Sequence, residues 1–233
     1  MRYIRKNDEP AFMTSWKQER EKAGQPLDYE SFSQKKDLND ILRAEQHGIC
    51  CYCQQSIDHF QGALEGGAHN EHLIPGKGPD GDFSKQMDYG NLYACCIDSK
   101  GTPKREKKKR HCGEAKEDKL IHPFIQDPLC SSFFRYNILG EIIPNGPYNR
   151  WEDYEENVKD LTGLVLKAYQ TIDTLKLNCN FLKDDRKKEI NRLISIISAI
   201  DKSKIQAMIQ DFENREIYPR YVDMLLYYMR QKK

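Results

Sequence analysis

"GICCYC", residues 48–53, sets three cysteines within four positions, and the chain returns to the theme at "NLYACC", residues 91–96, where Cys95 and Cys96 stand side by side. Cys50 and Cys53 form a C-x2-C pair, the spacing that lets two thiolates bend around one tetrahedral ion, with Cys51 pointing out of such a knuckle. One pair is a weak signal until a second half appears. Two further sulfurs follow: Cys95 or Cys96, and then Cys112 in "RHCGEAK". Four thiolates would close a structural zinc shell with no open position, so the zinc would hold the scaffold and chemistry would fall to other residues.

The totals agree with that reading. A chain of 233 residues can bury a core without disulfides, so its 8 cysteines need another explanation. No basic start joins an apolar run and no window approaches a membrane span, which predicts a soluble cytoplasmic protein without a membrane partner. In a reducing compartment, unevenly spaced cysteines point to metal ligation, with Cys130 and Cys179 as ordinary buried thiols. The net charge of +1 is uninformative, but its distribution is not. Lys100, Lys104, Arg105, Lys107, Lys108, Lys109 and Arg110 face one acid, Glu106, in a run suited to phosphates and blind to bases.

Three regions are expected: an N-terminal helical arm over 1–47, a cysteine-bearing module over 48–147 and a helical region over 148–233. Pro10 with Phe12, Met13 and Trp16 predicts a first helix. Leu38, Ile41 and Leu42 predict a second over about 36–47, stopped by Gly48. Glycines and prolines over 62–81 predict loops with short strands at most, and "FFRYNILGEIIPNG" predicts a small hairpin. Apolar residues from Val158 to Leu175, from Ile190 to Ile197 and from Ile217 to Tyr228 recur at helical spacing. The closing "RYVDMLLYYMR" is rich in the Tyr, Met and Arg that interfaces favour, so part of that surface is expected to be left for another chain.

Between the cysteine halves lie "HNEHLIPG", with Glu71, His72 and Pro75, and then Asn91 in "YGNLYACC". In order and type, residues 48–118 resemble the zinc-containing branch of the HNH nuclease family, which reads C-x2-C, acid-His-x-x-Pro, Asn-Leu and a second cysteine pair. The resemblance implies an α+β fold built on a zinc-stapled ββα-metal module. It also selects Cys96 over Cys95, giving Cys50, Cys53, Cys96 and Cys112 as zinc ligands. Taken with "MRYIRKNDEPAF", "HCGEAK" and "GEIIPNG", the first 145 or so residues look like the PtuB group, HNH subunits of Septu-type and retron-associated antiphage systems. That likeness implies a PtuA-like ABC-type ATPase as partner and admits a retron reverse transcriptase with its RNA–DNA.

The chemistry implied is metal-dependent phosphodiester hydrolysis of DNA, or of RNA such as tRNA. His72, with an unperturbed pKa near neutrality, is the general base. Glu71 supplies a hard oxygen to Mg²⁺ or Mn²⁺, and Asn91 braces the loop that aims His72. In many members a His or Asn follows the last cysteine as a metal ligand, whereas Gly113 stands here. Glu114, Asp118 or His111 is expected to make good that ligand, and His47, His59 and His69 are given no role. Tyr89 and Tyr93 read as packing about the zinc knuckle. The alternative reading is a catalytically silent zinc-knuckle adaptor that binds nucleic acid or protein.

Overall fold

The computed structural model describes residues 1–57, 67–97 and 110–232, and these form eight α-helices and two two-stranded antiparallel sheets. His59 and the basic run from Lys100 to Lys109 lie outside the described residues. Among them, no helix is long and apolar enough to cross a membrane.

Helix α1 (Ala11–Lys22) starts after Pro10, whose φ of −59° suits a helix entry. It buries Met13 and sets Phe12 and Trp16 against Phe32, with ring centroids 6.3 and 5.2 Å apart. Helix α2 (Lys35–Glu45) buries Leu38 and Leu42, one turn apart, and packs across strands β1 (Ala68–His72) and β2 (Leu92–Cys96). Its stop falls as expected, because His47 and Gly48 turn left-handed, at φ 52° and 73°. Strand β1 pairs with β2 in the register His69↔Cys95, Glu71↔Tyr93 and His72↔Leu92.

The buried Gln46 straps the first cysteines to this sheet. Its Oε1 accepts the Ala94 N–H at 2.7 Å, while its Nε2 donates to the carbonyls of Ala94 and Ile49 at 2.7 and 2.9 Å. The Cys51 N–H donates to Ala94 as well, at 3.2 Å. Both ends of the Gln46 amide are thus partnered, as burial demands.

After the short helix α3 (Gly113–Lys116), strands β3 (Phe134–Tyr136) and β4 (Ile142–Pro144) form the expected hairpin, turning at Gly140 with φ 78°. Helix α4 (Trp151–Glu156) follows. The stretch from Val158 to Leu175 is not one helix: a 3-10 turn at Val158–Asp160 gives way to extended Thr162, and α5 (Gly163–Thr174) begins only at Gly163, whose φ is 57°. A left-handed step cannot continue a right-handed helix, so the two halves separate.

Helix α6 (Asn180–Ile197) turns Ile190, Leu193 and Ile197 inward. Helix α7 (Lys202–Asn214), which the pattern reading did not isolate, is capped by Asp201, whose carboxylate accepts the Lys204 N–H. Helix α8 (Val222–Arg230) begins after Tyr221 at φ 58°, leaving Ile217 outside it.

The closing segment does not leave its apolar face for another chain. Residues Tyr221 to Leu226, Tyr228 and Met229 are buried, and α8 packs on α6, α7 and β3. Its Asp223 accepts Arg2 at 2.8 Å and Gln54 at 3.0 Å, and the Tyr221 N–H donates to the Gln54 carbonyl at 2.8 Å. A nine-residue helix apolar on nearly every side is what a position walled in on every side requires. These contacts tie the expected arm, module and helical region together. Removal of residues beyond about 210 would therefore strip out core.

Arg186 is the largest fully buried side chain among the described residues, and backbone carbonyls and an amide oxygen receive its donors. Its Nε donates to the Gly140 carbonyl at 2.7 Å, and its Nη2 donates to the Leu177 carbonyl at 2.6 Å and to Asn178 Oδ1 at 3.1 Å. Arg186→Met keeps the apolar stem but takes the donor from the Gly140 and Leu177 carbonyls, while Asn178 Oδ1 keeps the Ile142 N–H. It should cost about 3 kcal/mol, read as a lower denaturant midpoint, and an unchanged midpoint would refute the clamp.

Candidate functional site

Five cysteine sulfurs and one imidazole converge where the chain after Gly48, the end of β2 and the start of α3 meet. Two overlapping sets have all ligand atoms within 4.8 Å of one another: Cys50, Cys95, Cys96 and Cys112, and Cys53, Cys96, His111 and Cys112. Sulfurs of a tetrahedral zinc at 2.3 Å are about 3.8 Å apart. The observed separations are 3.9 Å for Cys50–Cys95 and Cys50–Cys112, and 3.7 Å for Cys53–Cys96.

The four sulfurs chosen from sequence lie in this cluster, but neither set holds Cys50 and Cys53 together. Cys95, read as a spare, and His111, read as a ligand to a different metal, are there too. His111 Nδ1 lies 3.2 Å from Cys112 Sγ and 3.7 Å from Cys96 Sγ. Cys51 is buried but belongs to neither set. Cys112 has φ 55° and ψ −133°, a backbone conformation that side-chain-bearing residues rarely adopt.

The cluster is short of positive charge. Burial opposes ionisation, yet hydrogen bonds from Cys112, Cys51, Cys53 and Cys95 hold the Cys50 thiol well below its ordinary value. Burial, together with the hydrogen bond to Cys50, pushes the Cys112 thiol well above it. Burial raises the Cys95 thiol too, but hydrogen bonds led by that from Cys112 bring it down to about 7. A buried Cys/His cluster of this size and spacing could hold a metal such as zinc.

The second part of the site lies on β1. Side chains alternate across a strand, so His69 and Glu71 share one face and Asn70 and His72 the other. Asn70 donates to the Tyr29 hydroxyl at 2.8 Å and to the Lys35 carbonyl at 2.9 Å. His72 stands edge-on to the Tyr29 ring, centroids 4.8 Å apart, with Nε2 2.9 Å from the Gln86 carbonyl. A carbonyl only accepts, so Nε2 carries the proton and Nδ1 holds the lone pair. Burial lowers the His72 pKa, which keeps the ring neutral near pH 7.

Asn91 is buried, and its Oδ1 accepts the Ile74 N–H at 2.7 Å while its Nδ2 donates to the carbonyls of Ile74 and Lys85 at 2.9 Å. It closes the loop between His72 and β2. The buried Gln86 supports the same loop, its side chain accepting the Tyr29 N–H and donating to the Gly76 carbonyl.

Glu71 is nearly enclosed. The Tyr52 hydroxyl donates to Oε1 at 3.2 Å, the buried Lys116 ammonium sits 3.0 Å from the same oxygen, and His69 Nε2 lies 3.1 Å from Oε2. Burial works against the charge of Glu71, but His69 and Lys116 hold its pKa below the ordinary value. Burial lowers the His69 pKa, but the hydrogen bond to Glu71 and the charges of Cys95 and Glu71 raise it to about 9. Lys116 also donates to the His72 carbonyl at 2.8 Å, joining the two strand residues. Through Gly113, whose N–H donates to Cys95 Sγ at 3.3 Å, this pair adjoins the sulfur cluster.

Glu114 and Asp118 are not gathered around Glu71: among the described residues, the two groups of three or more metal-capable side chains are both built on the cysteines. Sequence reasoning passed over His69, Lys116, Gln86 and Tyr29. For His69 a signal existed, since a histidine two places before an acid on a strand shares its face. The other three reach the site through tertiary contacts that no local pattern announces.

No family model matches the chain. Over 184 residues it is 30% identical to a protein of Vibrio cholerae serotype O1 biovar El Tor named "Retron Vc95 putative HNH endonuclease". The matched region covers 76% of this chain and 77% of that protein.

Proposed function

This chain belongs to the HNH endonuclease family, and we propose that it is a metal-dependent nuclease of antiphage defence, hydrolysing phosphodiester bonds of nucleic acid with His72 as general base. The observation that carries the reading is the clamped imidazole, with Nε2–H on the Gln86 carbonyl and a basic Nδ1, next in sequence to a buried, ionised carboxylate. Water attacking phosphorus would give its proton to His72 Nδ1 as the P–O bond to the leaving oxygen breaks. Asn91 and Gln86 hold the loop so that the ring keeps its direction. A bound Mg²⁺ or Mn²⁺, with Glu71 among its ligands, would neutralise charge on the phosphate and the departing oxygen.

The donor set fits such an ion in type, since an ionised carboxylate is the ligand that hard cations prefer. Zinc is the ion we assign to the sulfur cluster, with Cys50, Cys53, Cys96 and Cys112 as its shell. The retron named in the relative's description suggests the same setting here, and the PtuB likeness adds an ABC-type ATPase partner akin to PtuA. We keep 48–147 as the nuclease module, between the arm over 1–47 and the helical region over 148–233.

One observation favours the silent adaptor instead: Lys116 already pairs with Glu71. The two readings part in one experiment. The purified chain, with and without the ATPase, is incubated with labelled DNA and total RNA in Mg²⁺ or Mn²⁺. Cleavage that chelator stops is expected, and intact polymers under every condition would leave the adaptor.

A further inference from the structure

We propose that His69 is the second protein ligand of the catalytic divalent cation, partnering Glu71 in place of the side chain that Gly113 lacks; the inference rests on the nuclease reading above. The geometry begins at Gly113. A Cβ built there would lie 2.5 Å from Glu71 Oε2 and 2.7 Å from His69 Nε2. The His69 ring and any side chain at 113 thus compete for one volume, and in this chain the ring has it.

The two oxygens of Glu71 are not equivalent. Oε1 faces inward to the buried Tyr52 and Lys116, both committed to it. Oε2 faces His69, whose side chain is 32% exposed against 9% for Glu71. The open side of the carboxylate is therefore the side on which the imidazole stands. Neighbouring ligands on an octahedral ion with bonds near 2.1 Å lie about 3.0 Å apart, and Nε2 and Oε2 are 3.1 Å apart, so the ion would take the place of the proton between them, which passes to water.

Of the other residues considered for the role, His111 sits among the sulfurs, and neither Glu114 nor Asp118 joins Glu71 in a group of three metal-capable side chains among the described residues. Two protein ligands suffice for a cation that keeps several waters and takes a substrate phosphate. The competing explanation is a plain His69–Glu71 ion pair that never meets a metal.

Calorimetric titration of the zinc-loaded full chain with Mn²⁺, without nucleic acid, separates the two. One Mn²⁺ site per chain is expected. His69→Ala should weaken it at least tenfold while zinc content stays unchanged. Gly113→Ala, whose methyl would wedge the pair apart, should weaken it as well. Wild-type affinity in His69→Ala, or no Mn²⁺ site in the wild type, overturns the assignment. A His69-dependent Mn²⁺ site on a chain that cuts neither DNA nor RNA would uphold this inference and sink the nuclease reading. Metal-dependent cutting with affinity indifferent to His69 would do the reverse.

Discussion

Cys112→Ser should leave the chain without zinc and unable to hold its native fold. Cys112 is common to both ligand sets and touches Cys50 at 3.9 Å and His111 at 3.2 Å. Its own N–H donates to the Leu175 carbonyl at 2.8 Å, where α5 ends, so the cluster is tied to the helical half as well as to β2. A structural zinc contributes about 10–16 kcal/mol in small zinc-dependent folds, against a whole-domain stability of about 5–15 kcal/mol. Loss of one thiolate from a closed shell is therefore enough to unfold the protein. Elemental analysis and thermal melting, before and after chelation, measure both quantities. A zinc-free protein that melts at the wild-type temperature would remove the ion from the fold. Cys51→Ser should keep its zinc, and separate Cys53→Ser and Cys95→Ser variants decide which of those sulfurs completes the shell.

The contrast between Cys51 and Cys95 marks how far the sequence could be read. The C-x2-C spacing separated Cys50 and Cys53 from Cys51 because a tight knuckle admits only certain sulfurs. Cys95 and Cys96 are adjacent on a strand, so alternation should send them to opposite faces. Yet both sulfurs reach the cluster, because chain from both sides of it meets the end of β2. No spacing rule encodes that convergence. The helices were legible where apolar residues recur at three and four, as in α2 and α6. They were misjudged where backbone conformation decides, as at Gly163 and Tyr221, both at positive φ. The surplus apolar face at the C-terminus was visible as composition. That Asp223 and Gln54 would draw it inward is a contact across 169 residues, beyond any periodicity.

His72→Ala should lower nucleic-acid cleavage by about 10²–10⁴-fold, the usual contribution of a general base, with zinc content and melting temperature close to wild type. Zinc should be retained because the ring's hydrogen bond to the Gln86 carbonyl and its edge contact with the Tyr29 ring both lie outside the sulfur cluster. The carbonyl left behind belongs to the buried Gln86, so a small fall in melting temperature accompanies the lost activity. Turnover measured under saturating Mg²⁺ and substrate isolates the chemical role from binding. Glu71→Gln should also slow cleavage, but it additionally leaves the buried Lys116 without its carboxylate, so its lower melting temperature distinguishes it from His72→Ala. If His72→Ala cuts as fast as the wild type, the proton must leave by another group. The clamp on Nε2 would then be only a structural hydrogen bond.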